Sequence, residues 1–198
     1  MTTPEDETGR DRRQRYRVSD WALVDLAPVS GDELEAIRER LRLAWPDAFS
    51  LSAQFHEMRQ EQVVLRRHAE RESATFARLM EGLERRLDRL AEILMVHEFG
   101  ECPPPLEVDV SAEGMGLHWP RPLAEGQALR LRMLFPSTGA GLHTLAHVAW
   151  REVAGGGTRV GLTFEFLHER QEELMVHHVM QREAMLLRER SDSRPSGK

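Results

Sequence analysis

The chain has 198 residues, of which 40% are hydrophobic and 30% are charged. This composition is typical of a folded globular domain and excludes a chain that is mainly disordered or fibrous. The 33 acidic residues outnumber the 27 basic ones and give a formal net charge of −6, so the chain as a whole is not expected to bind nucleic acid.

Cysteine usage and the N-terminal sequence favour a cytoplasmic protein. The single cysteine, Cys102, excludes an internal disulfide framework, and no second soft ligand stands near it for a thiolate metal site. Residues 1–17 contain no apolar stretch that would act as a secretion signal, and no apolar run approaches the ~20 residues of a membrane helix. We expect neither a membrane span nor a bound metal or cofactor.

The N-terminal arm carries the densest basic cluster of the chain. Five arginines lie close together ahead of an apolar stretch: Arg10, Arg12, Arg13, Arg15 and Arg17. They create a local positive field, and a guanidinium can form paired hydrogen bonds to a phosphate or to a guanine edge. A solvated arm without a ligand is the alternative interpretation. The apolar stretch from Trp21 to Val29 is expected to contain the first strand.

A helical region is predicted to follow. Asp32 to Leu43 has apolar residues at helical spacing behind a Ser30-Gly31-Asp32 start signal. No proline occurs between Pro46 and Pro103, and inside this span apolar residues alternate at spacings of four and three, which is a heptad seam: Phe76, Met80, Leu83, Leu87, Leu90 and Leu94.

The length of this helix predicts that it packs on another helix. A helix from about Ser52 to His97 would be roughly 69 Å long at 1.5 Å per residue, more than one small domain can cover. Its partner is either the segment from Asp32 to Leu43, in an intramolecular hairpin, or the same helix of another copy. We favour self-association, because the hairpin would use only part of the seam.

After Pro103-Pro104-Pro105 the apolar period changes from 3.6 to 2, which predicts a sheet or small barrel. Strands are expected at four places: Leu106 to Val110, Leu129 to Phe135, Leu142 to Val153 and Val160 to Phe166. A glycine-rich hairpin connection precedes the last of them. Glu169 to Arg190 reads as a terminal helix, followed by a polar tail.

A second polar segment ends the strand that begins at Leu106. Asp109 and Ser111 are two residues apart on an extended chain and project to the same side. Gly114 allows the backbone to pass close to a bound group. Together they could cradle a polar ligand, although an ordinary turn that closes a hairpin is the alternative.

The two segments together resemble the PilZ domain family, which binds the bacterial second messenger cyclic di-GMP. The R-x-x-x-R motif of the family is matched by Arg13 and Arg17, and its [D/N]-x-S-x-x-G motif by Asp109, Ser111 and Gly114. The resemblance implies an α+β fold: a small antiparallel PilZ-like β-barrel, a long helical, coiled-coil-like insertion between its first two strands, and a C-terminal helix. The chain is similar to a variant that forms tetramers through heptad-bearing helices.

The resemblance also implies a domain organisation. Residues 1–29 would form the arginine-rich arm and the first barrel strand, and residues 30–102 the helical insertion with the heptad seam. Residues 103–190 would complete the barrel and add the C-terminal helix, and residues 191–198 would form a disordered tail.

The ligand site implied by the resemblance has six residues: Arg12, Arg13, Arg17, Asp109, Ser111 and Gly114. The arginines would hold phosphates and guanine faces, with Arg12 assisting, and Asp109 would accept hydrogen bonds from the guanine N1–H and N2–H₂ edge. Ser111 would hydrogen-bond nearby and Gly114 would permit close approach. Trp150 is expected in the core, with stacking on a base as the alternative.

The expected function is that of a non-enzymatic cyclic di-GMP receptor in which ligand orders the arm onto the barrel and so signals to a partner. No nucleophile–base pair or metal cluster with suitable spacing is evident, so the nucleotide is expected to be read and not hydrolysed. The alternative is an oligomeric structural or interaction module with a vestigial nucleotide site. The sequence leaves open the downstream partner, the number of bound nucleotides, the oligomer size and any effect of ligand on assembly.

Overall fold

The computed structural model describes residues 17–43, 47–154 and 157–192. The described residues form six strands: β1 (Val18–Pro28), β2 (Pro105–Ser111), β3 (Gly114–Trp119), β4 (Ala128–Phe135), β5 (Ala140–Ala154) and β6 (Gly157–Glu165). They also form five helices: α1 (Gly31–Arg42), α2 (Ala48–Glu61), α3 (Val63–Glu72), α4 (Ala74–Glu98) and α5 (Glu169–Asp192).

The strands close into an antiparallel barrel in the order β1-β2-β3-β6-β5-β4. Strand β1 closes it, because residues 18–23 pair with β2 and residues 23–28 pair with β4. The predicted α+β fold, with a small antiparallel barrel, helices between its first two strands and a C-terminal helix, is confirmed.

Alternation along the strands builds the barrel core. In β4 the residues predicted to face inward are fully buried: Leu129, Leu131, Met133 and Phe135. Between them Arg130 and Arg132 point outward, where both contact the Asp25 carboxylate of β1. Because one face is apolar and the other is charged, a one-residue slip in register would bury arginine, so the register is strongly determined.

The single long helix predicted from about Ser52 to His97 is wrong. The chain leaves helical geometry at Gln62 and again at Ser73, whose backbone is extended (φ −154°, ψ 100°). The Ser73 hydroxyl accepts a hydrogen bond from the Phe76 backbone N–H at 3.3 Å and so caps α4. Serine favours such caps over helix interiors because its hydroxyl competes for backbone donors.

The segment upstream of Ser73 folds back antiparallel to α4. Arg59 of α2 pairs with Asp88 of α4, and Arg66 of α3 pairs with Glu84 of α4 at 3.2 Å. The residue number rises along α2 and α3 while that of the partner on α4 falls, so the two segments are antiparallel. The intramolecular partner of α4 is therefore the α2–α3 segment. The alternative that placed α1 there is wrong, because Leu41 of α1 packs on Val29 and Leu145 at the barrel.

The C-terminal half of α4 docks on the outside of the barrel. Met95 is fully buried in a cluster with Leu23, Phe49 and Leu134. A Cβ on Gly141 of β5 would lie 2.0 Å from the Met95 sulfur. The absence of a side chain at position 141 therefore allows α4 to pack closely against β5.

Only the N-terminal end of the heptad seam faces α3: Phe76 and Met80 border an apolar cavity of about 230 Å³ together with Leu65 and Ala69 of that helix. The seam residues are 39–57% exposed, and Leu79 and Ile93 widen the seam. The buried side of α4 contains Ala91 and Met95 instead. In the part of the chain that the structure describes, no helix covers the seam from Leu83 to Leu94, whose residues are 42–57% exposed.

Helix α5 covers one side of the barrel and forms an ion pair with β1. Met175 is fully buried, and Leu174 and Val179 are nearly so. Asp20 of β1, 3% exposed, receives hydrogen-bonding contacts from Ser137 and, at 3.1 Å, from the Arg182 guanidinium of α5. A buried carboxylate with several donors ties three elements together.

Candidate ligand-binding surface on the barrel

Register partners form a row across four strands on the outer face of the barrel. Asp109 of β2 pairs with Gly116 of β3, Gly116 pairs with Gly161 of β6, and Gly161 pairs with Trp150 of β5. We call these four residues the cross-strand row. Two adjacent glycines at its centre leave a shallow floor between a carboxylate at one end and an indole at the other.

The Trp150 side chain lies on this floor. A Cβ on Gly161 would be 2.1 Å from the Trp150 indole nitrogen, and a Cβ on Gly116 would be 4.0 Å from its Cζ2. The glycines are therefore needed for the indole to lie against the sheet. Trp150 keeps part of its surface exposed, and the expectation that it belongs to the core is wrong.

A bulge in β5 explains why Trp150 faces outward. Val148 pairs with Leu162 but Trp150 pairs with Gly161, so one additional residue stands between them on β5. Val148 is buried, and strict alternation would have placed Trp150 on the same inner side. A β-bulge shifts the register by one residue and turns the following side chain to the other face.

Arg17 reaches the same floor from the arm. It precedes β1, and its Nη1 lies 3.9 Å from the position of a Cβ on Gly116. Arg17 is exposed, so its guanidinium has hydrogen-bond donors open to solvent. Arg12 and Arg13, the other arginines of the predicted site, lie outside the described residues.

The Asp109 carboxylate is held by a second arginine that the sequence did not indicate. Arg159 of β6 donates from Nη2 to Asp109 Oδ2 at 3.0 Å, and both side chains are nearly half exposed. A carboxylate has about four lone-pair sites, so Asp109 retains acceptor capacity beside this bond. The exposed ion pair contributes little to stability.

Ser111 and Gly114 shape the turn between β2 and β3. The Ser111 hydroxyl donates to the Gly114 carbonyl at 3.1 Å, and Ser111 is only 5% exposed. A Cβ on Gly114 would lie 2.2 Å from the Leu162 carbonyl oxygen of β6. In this structure the contacts of both residues are with backbone atoms of the protein itself. They fix the turn that follows Asp109 on β2.

The site therefore combines a cation, a carboxylate and an aromatic side chain, and the indole and the guanidinium cover the two buried glycines. Within residues 17–43, 47–154 and 157–192, no three His, Cys, Asp or Glu side chains are placed to hold a metal ion. None of the helices in those ranges is long and apolar enough to cross a membrane.

Solved structures with the same fold are found at low sequence identity. The chain is similar to a protein from Xanthomonas campestris described as a new tetrameric PilZ domain self-assembled via an unusual helical bundle. The TM-score is 0.55 at 12% identity, over 88% of this chain and 90% of that one. No relative is found among curated protein sequences.

Two structures of YcgR from Escherichia coli match a smaller part of the chain. The complex of YcgR with c-di-GMP matches at a TM-score of 0.39 and 17% identity, over 46% of this chain and 42% of that one. The PilZ domain of YcgR with c-di-GMP matches at 0.35 and 18%, over 46% and 81%.

The family model of the PilZ domain matches residues 65–181. The match begins inside α3, so it includes the cross-strand row, Ser111 and Gly114 but leaves the arm and β1 outside. It spans more than half of the sequence and agrees with the barrel topology. The chain belongs to the PilZ domain family.

Proposed function

We propose that the chain is a non-enzymatic receptor for cyclic di-GMP and that the ligand binds on the cross-strand row beside Arg17. The observation that carries this proposal is the convergence of Arg17, Asp109 and Trp150 on the floor formed by Gly116 and Gly161. Each of the three side chains matches a different chemical feature of the ligand.

The ligand offers two phosphodiesters and two guanine bases. The Arg17 guanidinium suits a phosphate or the O6/N7 edge of guanine, since it can donate two parallel hydrogen bonds. The Asp109 carboxylate is an acceptor for the N1–H and N2–H₂ donors at the opposite guanine edge. The exposed surface of the Trp150 indole suits stacking on a base.

The arm supplies the moving part of the proposed mechanism. Ligand held by Arg17 would also engage Arg13 of the R-x-x-x-R motif, with Arg12 assisting, and so fix the arm against the barrel. An arm ordered in this way presents a new surface to a downstream partner, as in other switches that order a segment. The family membership supports this reading, and we propose a cytoplasmic location for the receptor.

Calorimetry with cyclic di-GMP tests the proposal. Wild-type protein should bind, and Arg17→Ala and Asp109→Ala should each weaken binding by about 1–3 kcal/mol, roughly fivefold to 150-fold. Arg86→Ala and Asp32→Ala, which alter exposed residues on α4 and α1, are matched controls and should bind like wild type. Wild-type affinity in both site variants would rule the site out.

A second proposed property is self-association through α4, which the exposed heptad seam favours. A helix in water rarely leaves eight large apolar side chains exposed on one side unless another surface covers them. The Xanthomonas protein, which has the same fold, is described as tetrameric through a helical bundle. If cyclic di-GMP does not bind at all, an oligomeric interaction module becomes the better description.

A further inference from the structure

A polar cavity of about 310 Å³ lies between the helical insertion and α5, formed by residues outside the cross-strand row. Helix α2 forms one wall, α5 the opposite wall, and the turn between β4 and β5 the floor, while α3 and α4 contribute to the rim. We call it the interhelix cavity. Its volume is that of a small ligand and exceeds the space needed for one or two waters.

Two imidazoles without hydrogen bonds face each other in this cavity. His56 of α2 and His177 of α5 have ring centroids 4.4 Å apart. Neither ring is hydrogen-bonded to any residue that the structure describes. His56 as a whole is only 6% exposed, but its ring nitrogens are not fully enclosed by protein atoms. Both therefore have hydrogen-bonding capacity to offer a bound group.

The remaining polar lining consists mainly of donors. Arg59 and Arg66 each form one ion pair, with Asp88 and Glu84 respectively, which leaves most of the five N–H groups of each guanidinium uncommitted. The side-chain amides of Gln60 and Gln181 also line the cavity. Each arginine is thus balanced by one carboxylate, so the attraction for an anion would come from uncommitted N–H donors and not from a net positive charge.

We propose that the interhelix cavity binds a small oxyanion, a phosphate or a carboxylate group, through Arg59, His56 and His177. An oxyanion supplies acceptors for the uncommitted N–H groups of this wall, and a guanidinium binds either group with paired hydrogen bonds. A cation is disfavoured, because Arg59 lies close enough to both imidazoles to act on their protonation. The bound group would bridge α2 and α5.

Protonation gives this site a characteristic pH dependence. Burial lowers the pKa of His56 to about 4, with His177 and Arg59 adding to the effect, and burial and Arg59 lower the pKa of His177. A bound anion favours the protonated imidazoles and raises both pKa values, so binding takes up protons and affinity increases as the pH falls. The other charged or titratable groups of the lining are Arg59, Arg66, Asp88 and His178.

Titration with inorganic phosphate, and separately with succinate, tests the site by the NMR signals of the histidine rings. We expect saturable shifts of the His56 and His177 signals with at least one probe. Comparison of the phosphate titration with the succinate titration shows which group is preferred. His177→Ala should weaken this binding about tenfold, or 1.4 kcal/mol. His68→Ala on α3, an exposed histidine beside Glu72, is the matched control and should change nothing.

The outcomes separate this site from the one on the barrel. Weaker binding at higher pH and retained cyclic di-GMP affinity in His177→Ala support the inference. Absence of saturable shifts with both probes, or equal weakening by His177→Ala and His68→Ala, overturns it. Because no residue is shared between the interhelix cavity and the cross-strand row, a failure here leaves the proposed receptor function unaffected, and the reverse is also true.

Discussion

Gly114 lies where β3 passes closest to β6. An added Cβ would meet the Leu162 carbonyl oxygen at 2.2 Å, and this neighbour is backbone that cannot rotate away. Gly114→Ala is therefore expected to destabilise the barrel by about 1–3 kcal/mol through overpacking. Urea unfolding measures the change. Gly82→Ala is the control: nothing lies within 4 Å of its Cβ position in the interior of α4, so it should stabilise by about 0.5–1 kcal/mol. An unchanged unfolding midpoint in Gly114→Ala would contradict this account.

Trp150 is expected to contribute stacking energy to cyclic di-GMP binding. Trp150→Ala should reduce the free energy of binding by about 1–3 kcal/mol, and Trp150→Phe by less, since a smaller aromatic ring remains. Val153→Ala, at an 82% exposed position of the same strand, is the matched control for calorimetry. Equal affinities for wild type and Trp150→Ala would remove the indole from the site but leave Arg17 and Asp109 in it.

At the scale of residues, the sequence indicates polar motifs better than it indicates their neighbours. Asp109 and Arg17, which the family resemblance assigns to one site, lie on one surface in the structure. Trp150 could not be assigned to that surface, because its position depends on a bulge that the alternation of β5 does not show. Arg159 was missed because its contact with Asp109 joins residues 50 positions apart. The paired glycines Gly116 and Gly161 were a visible signal for a close approach of a side chain to the sheet.

At the scale of elements, α5 holds a buried histidine that makes its docking sensitive to pH. His178 has no exposed side-chain surface, stacks on Phe135 at 3.8 Å and contacts Thr138 Oγ1 at 2.9 Å. Burial lowers its pKa to about 4, although Asp20 opposes the shift. The unfolded chain takes up a proton near pH 6.5, whereas the folded chain takes it up only near pH 4.

The free energy of unfolding is therefore expected to fall as the pH is lowered from about 6.5 to 4. His178 alone accounts for about 3 kcal/mol of this loss, and His56 adds to it, because burial lowers its pKa also. Urea titrations at several pH values measure the slope. His178→Gln and His178→Asn should each flatten it, and a slope equal to that of wild type in both variants would contradict the assignment.

Helix boundaries show what sequence periodicity detects and what it misses. The seam from Phe76 to Leu94 was correct for α4, since a heptad repeat is a local property of one helix. The break at Ser73 was missed because the absence of proline does not by itself make a helix continuous. The helical hairpin is stabilised by the Ser73 cap and by the ion pairs of Arg59 and Arg66 with α4. The heptad repeat is the same in a hairpin and in a straight helix, so it could not predict this break.

At the scale of the whole molecule, the net charge of −6 conceals separate surfaces of different character. One surface is the cross-strand row, where Arg17 stands above a neutral floor. The other is the outer side of α4, which is apolar. The family resemblance implied a closed barrel but the order and pairing of its strands were not predicted, because alternation identifies strands and does not specify which of them are neighbours.

The apolar side of α4 is expected to determine the oligomeric state. Leu83 and Leu87 lie in the middle of the seam and are 42% and 48% exposed. Burying a leucine side chain contributes about 1.5–3 kcal/mol, whereas two glutamates at the same positions would have to leave water. The variant Leu83→Glu/Leu87→Glu is therefore expected to be monomeric at concentrations at which wild type associates.

Sedimentation measures this difference, and circular dichroism shows whether α4 stays helical. The matched control is Arg85→Glu, a charge change at a 66% exposed position on the opposite side of the same helix, which should associate like wild type. Cyclic di-GMP affinity should survive in the double variant, because the cross-strand row lies on the barrel and contains no residue of α4. A wild-type chain that remains monomeric at every concentration would contradict self-association through the seam.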